Sequence, residues 1–201
     1  MKIDIHVHTT ASSCSIFSPH ELVQLAGIEK ASVIVTTNHH NSCDDVTLLE
    51  YELGIRSIKY FPAIEISNNW GDFLLFGENL SDFQEPRNFF PAHLLPRDDI
   101  AVVWAHPFRF MHEDEVNFIK WEVAKYIDAV EIINGNCLRK CPWANVLASR
   151  LAGEIGKPGT AGSDAHSAKM FFMAWTEFEE PVNSYGDLVR QIKEGRVRPG
   201  G

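Results

Sequence analysis

Short runs of apolar and β-branched residues alternate with longer amphipathic stretches along most of the chain. The short runs predict strands, and apolar residues spaced three and four apart predict helices. The predicted strands are Lys2–Val7, Ser32–Thr37, Ile58–Ile66, Phe73–Phe76, Ile100–Ala105, Ala129–Ile133 and Gly159–Gly162. The predicted helices are Ser18–Gly27, Asp44–Leu53, Val116–Tyr126, Ala144–Ile155 and Tyr185–Glu194. Because strands that alternate with helices pair in parallel through right-handed crossovers, we expect an α/β fold, as an open sheet or a closed barrel.

The length of 201 residues suits one well-buried domain, which we expect to cover residues 1–201. Glu78–Asp99 is the least regular stretch, with three prolines spaced through it. We interpret it as a long loop packed against the domain rather than as a lid. The tail Arg196–Gly201 is short and basic and contains Gly and Pro, so we expect it to fray.

Composition and charge narrow the function classes. Hydrophobic residues make up 45% of the chain, which excludes a disordered protein. The net charge of −9 disfavours capture of duplex nucleic acid, which needs many cations, but leaves a small phosphorylated substrate or a short single-stranded nucleic acid as partners. No apolar run approaches the ~20 residues that span a bilayer, and the polar N-terminus does not resemble a signal peptide. We therefore expect a cytoplasmic protein that does not enter membranes.

The four cysteines are Cys14, Cys43, Cys137 and Cys141. Without a secretory signal, a disulfide framework is not expected. Cys137 and Cys141 form a C-x3-C pair, but no second pair completes a four-ligand zinc site. We therefore interpret these two residues as ordinary reduced thiols.

Histidines and acidic residues collect where the predicted strands end. These residues are His6, His8, His39, Glu65, His106, Asp164 and His166. The C-terminal ends of parallel strands converge on one face, where active sites form. In a strand, residues two apart project from the same side, so the imidazoles of His6 and His8 can reach one cation. Mixed nitrogen and oxygen ligands suit Zn²⁺, Mn²⁺ or Fe²⁺ better than Ca²⁺ or Mg²⁺. The alternative is a set of hydrogen-bonded strand-end residues, which is disfavoured because burying unpaired polar groups is costly.

Successive motifs resemble those of the PHP superfamily, named for polymerase and histidinol phosphatase. In chain order they are Ile3–Thr9, Thr37–His39, Pro62–Glu65, Ala105–Pro107 and Ala161–His166. Two further motifs, Glu131–Gly135 and Thr176–Phe178, resemble the short stand-alone members that are metal-dependent phosphoesterases. The resemblance covers nearly the whole chain. It implies a distorted (β/α)7 TIM-like barrel and hydrolysis of a phosphoester at a centre of two or three divalent metal ions.

The resemblance also implies how the ligands divide between the ions. A first, complete site would consist of His6, His8, Glu65 and Asp164. Glu65 would bridge to a second ion that His106 also binds, and His39 with His166 would hold most of a third site.

The chain departs from the family pattern at three positions. Cys14 stands where some members carry histidine; it is either a thiolate ligand, which would favour zinc, or a plain thiol. Asp72 stands where a histidine is usual, and a carboxylate can replace it as a ligand. Asn38 replaces an aspartate that orients nearby groups without binding metal. His40 should face away from the site if the backbone there is extended.

For the reaction, we expect metal-bound hydroxide to attack phosphorus while the cations neutralise charge on the phosphoryl oxygens. His39 or His166, where not occupied by metal, could protonate the leaving group. Arg109, Arg139 and Lys169 are candidate contacts to the phosphate, or else solvated loop residues.

Two other functions stay open at this point. One is an amidohydrolase-type enzyme, which also begins with an H-x-H strand and ends with a catalytic aspartate. The other is a metal-binding regulatory module with reduced catalysis, because the residues at Asn38, Cys14 and Asp72 depart from the family pattern. Within phosphoester hydrolysis, a metabolite, a nucleotide and a short oligonucleotide are alternative substrates, and the oligomeric state is undetermined.

Overall fold

The computed structural model describes residues 1–39, 46–78, 80 and 97–201. In these ranges the strands are β1 (Lys2–Ile3), β2 (Val33–His39), β3 (Lys59–Asn68), β4 (Gly71–Phe76), β5 (Ala101–Ala105), β6 (Ala129–Asn134), β7 (Gly159–Gly162), β8 (Trp175–Phe178) and β9 (Val197–Gly200). The helices are α1 (Pro19–Ile28), α2 (Val46–Ile55), α3 (Glu113–Val123), α4 (Gly135–Lys140), α5 (Pro142–Ile155) and α6 (Tyr185–Lys193), with a short 3-10 helix at Ala168–Met170. The predicted helix start at Asp44, with Cys43 and His40, lies outside the described ranges, as does most of Glu78–Asp99.

Local capping explains where several helices begin and end. The Ser18 side chain accepts from the Glu21 backbone N–H, and the Glu21 carboxylate accepts from the Ser18 backbone N–H, which fixes the start of α1. Helix α3 begins at Glu113 rather than at the predicted Val116, because the Glu115 carboxylate accepts from the His112 backbone N–H and extends the helix by a turn. Helix α5 ends at Ile155 and is capped by Gly156, whose φ of 67° suits glycine.

Six strands form one sheet in the order β2-β3-β4-β5-β6-β7. The pairs β2/β3, β5/β6 and β6/β7 are parallel, as predicted, but β4 is antiparallel to both of its neighbours. The expectation of parallel strands is therefore wrong at this strand. Only Asn69 and Trp70 connect β3 to β4. Two residues can join antiparallel strands in a hairpin, whereas a parallel pair needs a crossover of about a dozen or more.

The six-stranded sheet curls into a half-barrel. Val35 of β2 and Ala129 of β6 belong to one buried cluster that also contains Leu74 of β4, so distant strands share an inner face. The extended segment after β1 lies between the two ends of the sheet: the Val7 carbonyl accepts from the Thr37 N–H at 2.8 Å, and residue 7 forms a bridge to Ala165. The class is α/β as predicted, and the strand pairings of the described residues form this half-barrel; the closed (β/α)7 barrel stays a prediction.

A second sheet has the order β1-β8-β9, all antiparallel. The prediction that Arg196–Gly201 frays is wrong, because Val197 pairs with Phe178 and Gly200 pairs with Trp175. Val197 and Phe178 are both buried in the inner cluster. Burial of one apolar side chain and a full ladder to β8 stabilise a tail whose composition suggested disorder.

Helices α3 and α5 cover the outer face of the half-barrel. Val116 and Leu151 from these helices share a cluster with Phe73 and Trp104 of the sheet, whose rings stack with centroids 6.2 Å apart. On the opposite side of the fold, Leu22 and Leu53 of α1 and α2 pack in a third cluster. No helix among the described residues is long and apolar enough to cross a membrane.

Candidate metal centre

The structure brings the seven strand-end side chains together at one end of the half-barrel. His6 and His8 flank the bridge residue Val7, so both imidazoles project to the same side. His39 is the last residue of β2, whereas Glu65 lies within β3, three residues before it ends. His106 directly follows β5, and Asp164 and His166 follow β7. The fold therefore places residues from five chain segments around one point.

Glu65 lies at the centre of the cluster. Its Oε2 is 3.0 Å from His8 Nε2, 3.3 Å from His39 Nε2 and 3.5 Å from His6 Nε2. Its Oε1 is 3.1 Å from His106 Nε2. Because the two oxygens contact different imidazoles, this carboxylate can bridge two cations.

Asp164 lies opposite Glu65 across the same imidazoles. Its Oδ1 is 3.4 Å from His8 Nε2, 3.6 Å from His6 Nε2 and 3.3 Å from His166 Nδ1. The Nε2 atoms of His6 and His8 are themselves 3.1 Å apart. Two imidazole nitrogens and two carboxylates that point at one another leave lone pairs facing a common space, which suits a divalent cation.

Four groups of three donors, each with ligand atoms within 4.8 Å of one another, occur among the described residues. They are His6–His8–Glu65, His6–His106–Asp164, Glu65–Asp72–His106 and His8–Cys14–His166. The first two groups consist wholly of buried residues. The donor set thus suits divalent ions of the type that accepts mixed nitrogen and oxygen ligands.

Both substituted positions lie within reach of this cluster. Asp72 Oδ2 is 3.6 Å from His106 Nδ1, and Asp72 completes a group with Glu65. Cys14 is grouped with His8 and His166, rather than with the His39 and His166 pair that the resemblance implied. His39 instead stacks on the His8 ring, with centroids 4.8 Å apart. The thiol and the carboxylate therefore lie within reach of the other donors.

Glu131 is a site residue for which the sequence pattern predicted no role. Its Oε1 is 2.8 Å from His6 Nδ1, and its Oε2 accepts from the His106 backbone N–H at 3.1 Å and from Asn134 Nδ2 at 3.0 Å. A carboxylate partner on Nδ1 holds the proton there and leaves Nε2 as the ligand atom. The signal was available, because an acidic residue inside an otherwise apolar strand needs a buried partner.

Asp164 is held from several sides. Asn134 Nδ2 donates to its Oδ2 at 3.3 Å, Asn136 Nδ2 donates to its backbone carbonyl at 3.1 Å, and the Arg109 guanidinium donates to Oδ2. Its φ is 52°, and His106 has a φ of 27°. A positive φ is unfavourable for residues other than glycine and tends to occur at functional sites. Both residues carry donors of the cluster.

Asn38 lies beside the cluster without joining a donor group of the described residues. Its Oδ1 accepts from the Thr9 backbone N–H at 2.8 Å and from Ser12 Oγ at 3.0 Å. Ser12 Oγ in turn accepts from the His39 backbone N–H at 2.8 Å. Asn38 therefore positions the chain on which His39 and the neighbouring loop lie.

Negative charge dominates the electrostatics of the cluster. Burial disfavours a charge on His6, but the carboxylates of Glu131, Asp164 and Glu65 outweigh that effect and raise its pKa well above the usual range. Although burial opposes ionisation of Glu65, the imidazole of His6 and hydrogen bonds from the histidines hold its pKa well below its usual range. Ionised carboxylates in a buried site attract cations, which supports the interpretation of the cluster as a metal-binding site.

The pKa values of three other groups in the cluster shift so that the uncharged form is favoured. These groups are His39, His166 and Cys14. Burial lowers the pKa of His39 and of His166, which favours neutral imidazoles. Burial raises the pKa of the Cys14 thiol, and the charges of Glu65 and Asp164 add to this. Cys14 would need a bound cation to become a thiolate.

A cavity of about 330 Å³ opens onto the cluster. Arg109 lines it, together with Ser67 and Phe110. Arg139 and Lys169 do not: both are exposed, Arg139 on α4 and Lys169 in the 3-10 helix, and neither lines the cavity. Of the three basic residues expected to contact phosphate, the structure brings only Arg109 to the site. Cys137 and Cys141, with sulfurs 3.2 Å apart, lie outside the donor groups of the described chain.

Comparisons with known proteins agree with the motifs. Residues 142–197 match the model of the PHP-associated family. The chain is 28% identical over 187 residues to an uncharacterised protein of Methanocaldococcus jannaschii, covering 90% of this chain and 71% of that protein. It is 24% identical over 193 residues to a probable phosphatase of Shewanella sp. strain MR-4, covering 83% and 77%.

Two solved structures share the fold. A two-domain protein of Bacteroides vulgatus that contains a predicted PHP-like metal-dependent phosphoesterase superposes with a TM-score of 0.68 at 16% identity, over 100% of this chain and 64% of that one. An amidohydrolase of Chromobacterium violaceum with bound sulfate superposes with a TM-score of 0.63 at 14% identity, over 98% of each chain. At these identities the likeness establishes the fold alone.

Proposed function

We propose, from its membership of the PHP superfamily, that this chain is a metal-dependent phosphoesterase that hydrolyses a small phosphate ester. The observation that carries the proposal is the convergence of Glu65 and Asp164 on the Nε2 atoms of His6 and His8. The matched probable phosphatase supports the reaction class.

The residues proposed to hold the ions are the eight members of the four donor groups and His39, whose Nε2 lies 3.3 Å from Glu65 Oε2. They are His6, His8, Cys14, His39, Glu65, Asp72, His106, Asp164 and His166. Bound divalent ions of the Zn²⁺, Mn²⁺ or Fe²⁺ type would supply Lewis acidity, neutralising phosphoryl charge and lowering the pKa of bound water toward about 7. Whether two or three ions bind depends on Cys14 and Asp72, which complete the outer groups.

Arg109 is the residue proposed to bind the phosphoryl group. It lines the cavity and donates to Asp164 Oδ2, so its guanidinium lies next to the ligand cluster. A guanidinium can donate two parallel hydrogen bonds to phosphate oxygens, which fixes orientation as well as charge. Its side chain is 16% exposed and open to the cavity.

Protonation of the leaving group is assigned to a histidine at the cavity wall. His166 and His39 are 23% and 27% exposed, in contrast to the buried His6 and His8. His166 Nδ1 lies 2.9 Å from the Asp164 carbonyl, which orients the ring so that Nε2 can serve an ion or, where no ion occupies it, the leaving group. His39 Nε2 is already 3.3 Å from Glu65, so His166 is the better placed of the two.

The alternatives fit less well. An amidohydrolase with a carboxylated lysine as bridging ligand needs a lysine at the cluster, and no lysine lines the cavity formed by the described residues. A regulatory module with an incomplete metal centre is disfavoured because Cys14 and Asp72 each complete a donor group. The matched amidohydrolase structure supports only the fold.

Metal reconstitution tests the proposal. Protein stripped with a chelator should release no phosphate from an aryl phosphate, and Mn²⁺, Zn²⁺ or Fe²⁺ should restore turnover. Elemental analysis of the reconstituted protein should give at least two ions per chain. A protein that binds one ion or none and hydrolyses no phosphate ester would favour the regulatory module. Turnover of an amide but not of the ester would favour the amidohydrolase.

A further inference from the structure

Two cysteines, Cys137 and Cys141, are in contact at the corner between α4 and α5. Both are free thiols, and the thiol of Cys141 donates to the sulfur of Cys137 with the two sulfurs 3.2 Å apart. Neither sulfur belongs to a metal donor group of the described residues, and the side chain of Cys141 makes no capping hydrogen bond to α5. The proposed phosphoesterase reaction therefore leaves this pair without a role.

The backbone at this corner brings the sulfurs closer than a regular helix would. In a continuous helix, Cβ atoms four residues apart are separated by about 5–6 Å, whereas a disulfide needs about 3.5–4.5 Å. Cys141 ends α4 with a φ of −150° and a ψ of 62°, which lie outside the helical region. The two sulfurs are only about 1.2 Å farther apart than the disulfide bond length of about 2.05 Å. A displacement of this size closes a disulfide.

The two thiols differ in their access to solvent, which determines the order in which they react. Cys137 is fully buried, whereas Cys141 is partly exposed. Burial raises the pKa of the Cys137 thiol, and the hydrogen bond from Cys141 adds to this effect. A thiol that stays protonated is a poor nucleophile, so an oxidant arriving from solvent reacts with Cys141 first.

We propose that Cys137 and Cys141 form a reversible redox modification site, that hydrogen peroxide oxidises them to a disulfide, and that this disulfide weakens the metal centre. The Cys141 sulfur attacks one peroxide oxygen, the O–O bond breaks, and the released hydroxide takes the thiol proton to become water, which leaves a sulfenic acid. The Cys137 sulfur then attacks the Cys141 sulfur. The S–S bond forms, the S–O bond breaks, and the leaving hydroxide takes the Cys137 proton as a second water. The two sulfurs lose the two electrons that the peroxide gains.

The first turn of α4 connects this pair to the metal centre. The Cys137 N–H donates to Asn134 Oδ1 at 3.0 Å, and Asn134 Nδ2 donates to Asp164 Oδ2 at 3.3 Å. Asn136 Nδ2 donates to the Asp164 carbonyl at 3.1 Å. A hydrogen bond already at this length is lost when its atoms separate by a few tenths of an ångström more. Drawing Cys137 toward Cys141 therefore loosens the contacts that hold Asp164.

Trypsin gives a direct assay of the disulfide, because it cleaves after Arg139 and Lys140, between the two cysteines. One cysteine then lies in peptide 126–139 and the other in peptide 141–150, and neither peptide contains another cysteine. After exposure to hydrogen peroxide, alkylation and digestion without reductant, mass spectrometry should detect these two peptides linked to each other. Dithiothreitol should separate them, and Cys141→Ser should give no linked peptide.

The affinity for Mn²⁺ tests the effect on the metal centre. Mn²⁺ prefers oxygen ligands to thiolates, so the loss of two thiols does not itself remove a site for this ion. Electron paramagnetic resonance of free Mn²⁺ measures the Kd of protein stripped with a chelator. After treatment with peroxide and its removal, the Kd should be about 10-fold higher than that of Cys141→Ser treated in the same way, and dithiothreitol should abolish the difference. Cys141→Ser is the matched control because it keeps Cys14 open to oxidation but cannot form the disulfide.

Two results would overturn the inference while leaving the proposed function in place. One is oxidation of the cysteines without a link between peptides 126–139 and 141–150. The other is a linked pair whose Kd for Mn²⁺ equals that of the treated Cys141→Ser control. The inference rests on the metal centre of the proposed function but not on the reaction. A Kd that responds to oxidation in a protein that hydrolyses no ester would contradict the phosphoesterase alone, and reduced protein that binds no Mn²⁺ would contradict both.

Discussion

Glu131 Oε1 lies 2.8 Å from His6 Nδ1, on the side of the imidazole that faces away from the other ligands. Neither residue is accessible to solvent beyond about 1%. The second oxygen of Glu131 accepts from the His106 backbone N–H. One buried carboxylate therefore orients His6, which precedes β2, and the backbone at His106, which follows β5. The two sides of the donor cluster are coupled through it.

Glu131→Gln should weaken metal binding by about 10-fold to 100-fold, the usual effect of losing such a partner. An amide has one acceptor oxygen, so it cannot serve both the Nδ1–H of His6 and the N–H of His106. Competition with a chromophoric zinc chelator measures the affinity. Glu177→Gln, at an exposed position of β8, is the matched control and should leave it unchanged. An affinity equal to that of the unaltered protein would show that Glu131 does not orient the ligands.

The sequence predicted the position of the site better than its supporting contacts. The i, i+2 spacing of His6 and His8 and the strand-end position of His106 predicted convergence correctly, because strand periodicity alone fixes where such side chains project. Contacts such as that of Glu131 depend on which strands are neighbours across the sheet. That information is absent from the local pattern.

The same limit explains the errors in the fold. The reversal at Asn69 and Trp70 lacks the glycine-containing dipeptide that usually marks a two-residue hairpin, and Gly71, with a φ of 110°, comes one position later. β9 was missed because a basic segment with Gly and Pro has low strand propensity, and only pairing with β8 stabilises it. In both places, contacts between distant parts of the chain rather than the local sequence determine the structure.

Gly162→Ala should destabilise the protein strongly, by several kcal/mol. A Cβ there would lie 2.3 Å from the His6 Cβ and 3.0 Å from Glu131 Oε1, and β7 cannot retreat without breaking its pairing with β6. Gly153→Ala is the matched control: nothing lies within 4 Å of its Cβ, and it is in the interior of α5, so it should stabilise by about 0.5–1 kcal/mol. Urea unfolding measures both. Equal stabilities for the two variants would contradict the close packing of β7 on His6.

Tyr185→Phe should show a stability difference that depends on alkaline pH. The Tyr185 hydroxyl donates to the Pro62 carbonyl at 2.7 Å, and burial raises the pKa of the phenol above its usual value. A raised pKa in the folded state means that the contribution is complete below the unfolded value of about 10 and is lost above it. The variant should be less stable by about 1 kcal/mol at pH 7, and the gap should narrow above pH 10. A gap that stays constant to pH 11 would contradict burial of this hydroxyl.

Asp164→Asn should separate catalysis from folding. Asparagine tolerates the left-handed φ of 52° at this position and matches the shape of aspartate, so the midpoint of thermal unfolding should change little. The loss of a carboxylate charge at the ligand cluster should lower kcat on an aryl phosphate by roughly 10²-fold or more, since metal-ion catalysis contributes several kcal/mol. Asp164→Ala should lose at least as much activity and should also be destabilised by about 1–2 kcal/mol, because alanine disfavours a positive φ. Asp98→Asn, at an exposed loop position, is the control for charge alone. If Asp164→Asn kept its full rate, Asp164 would not be a ligand.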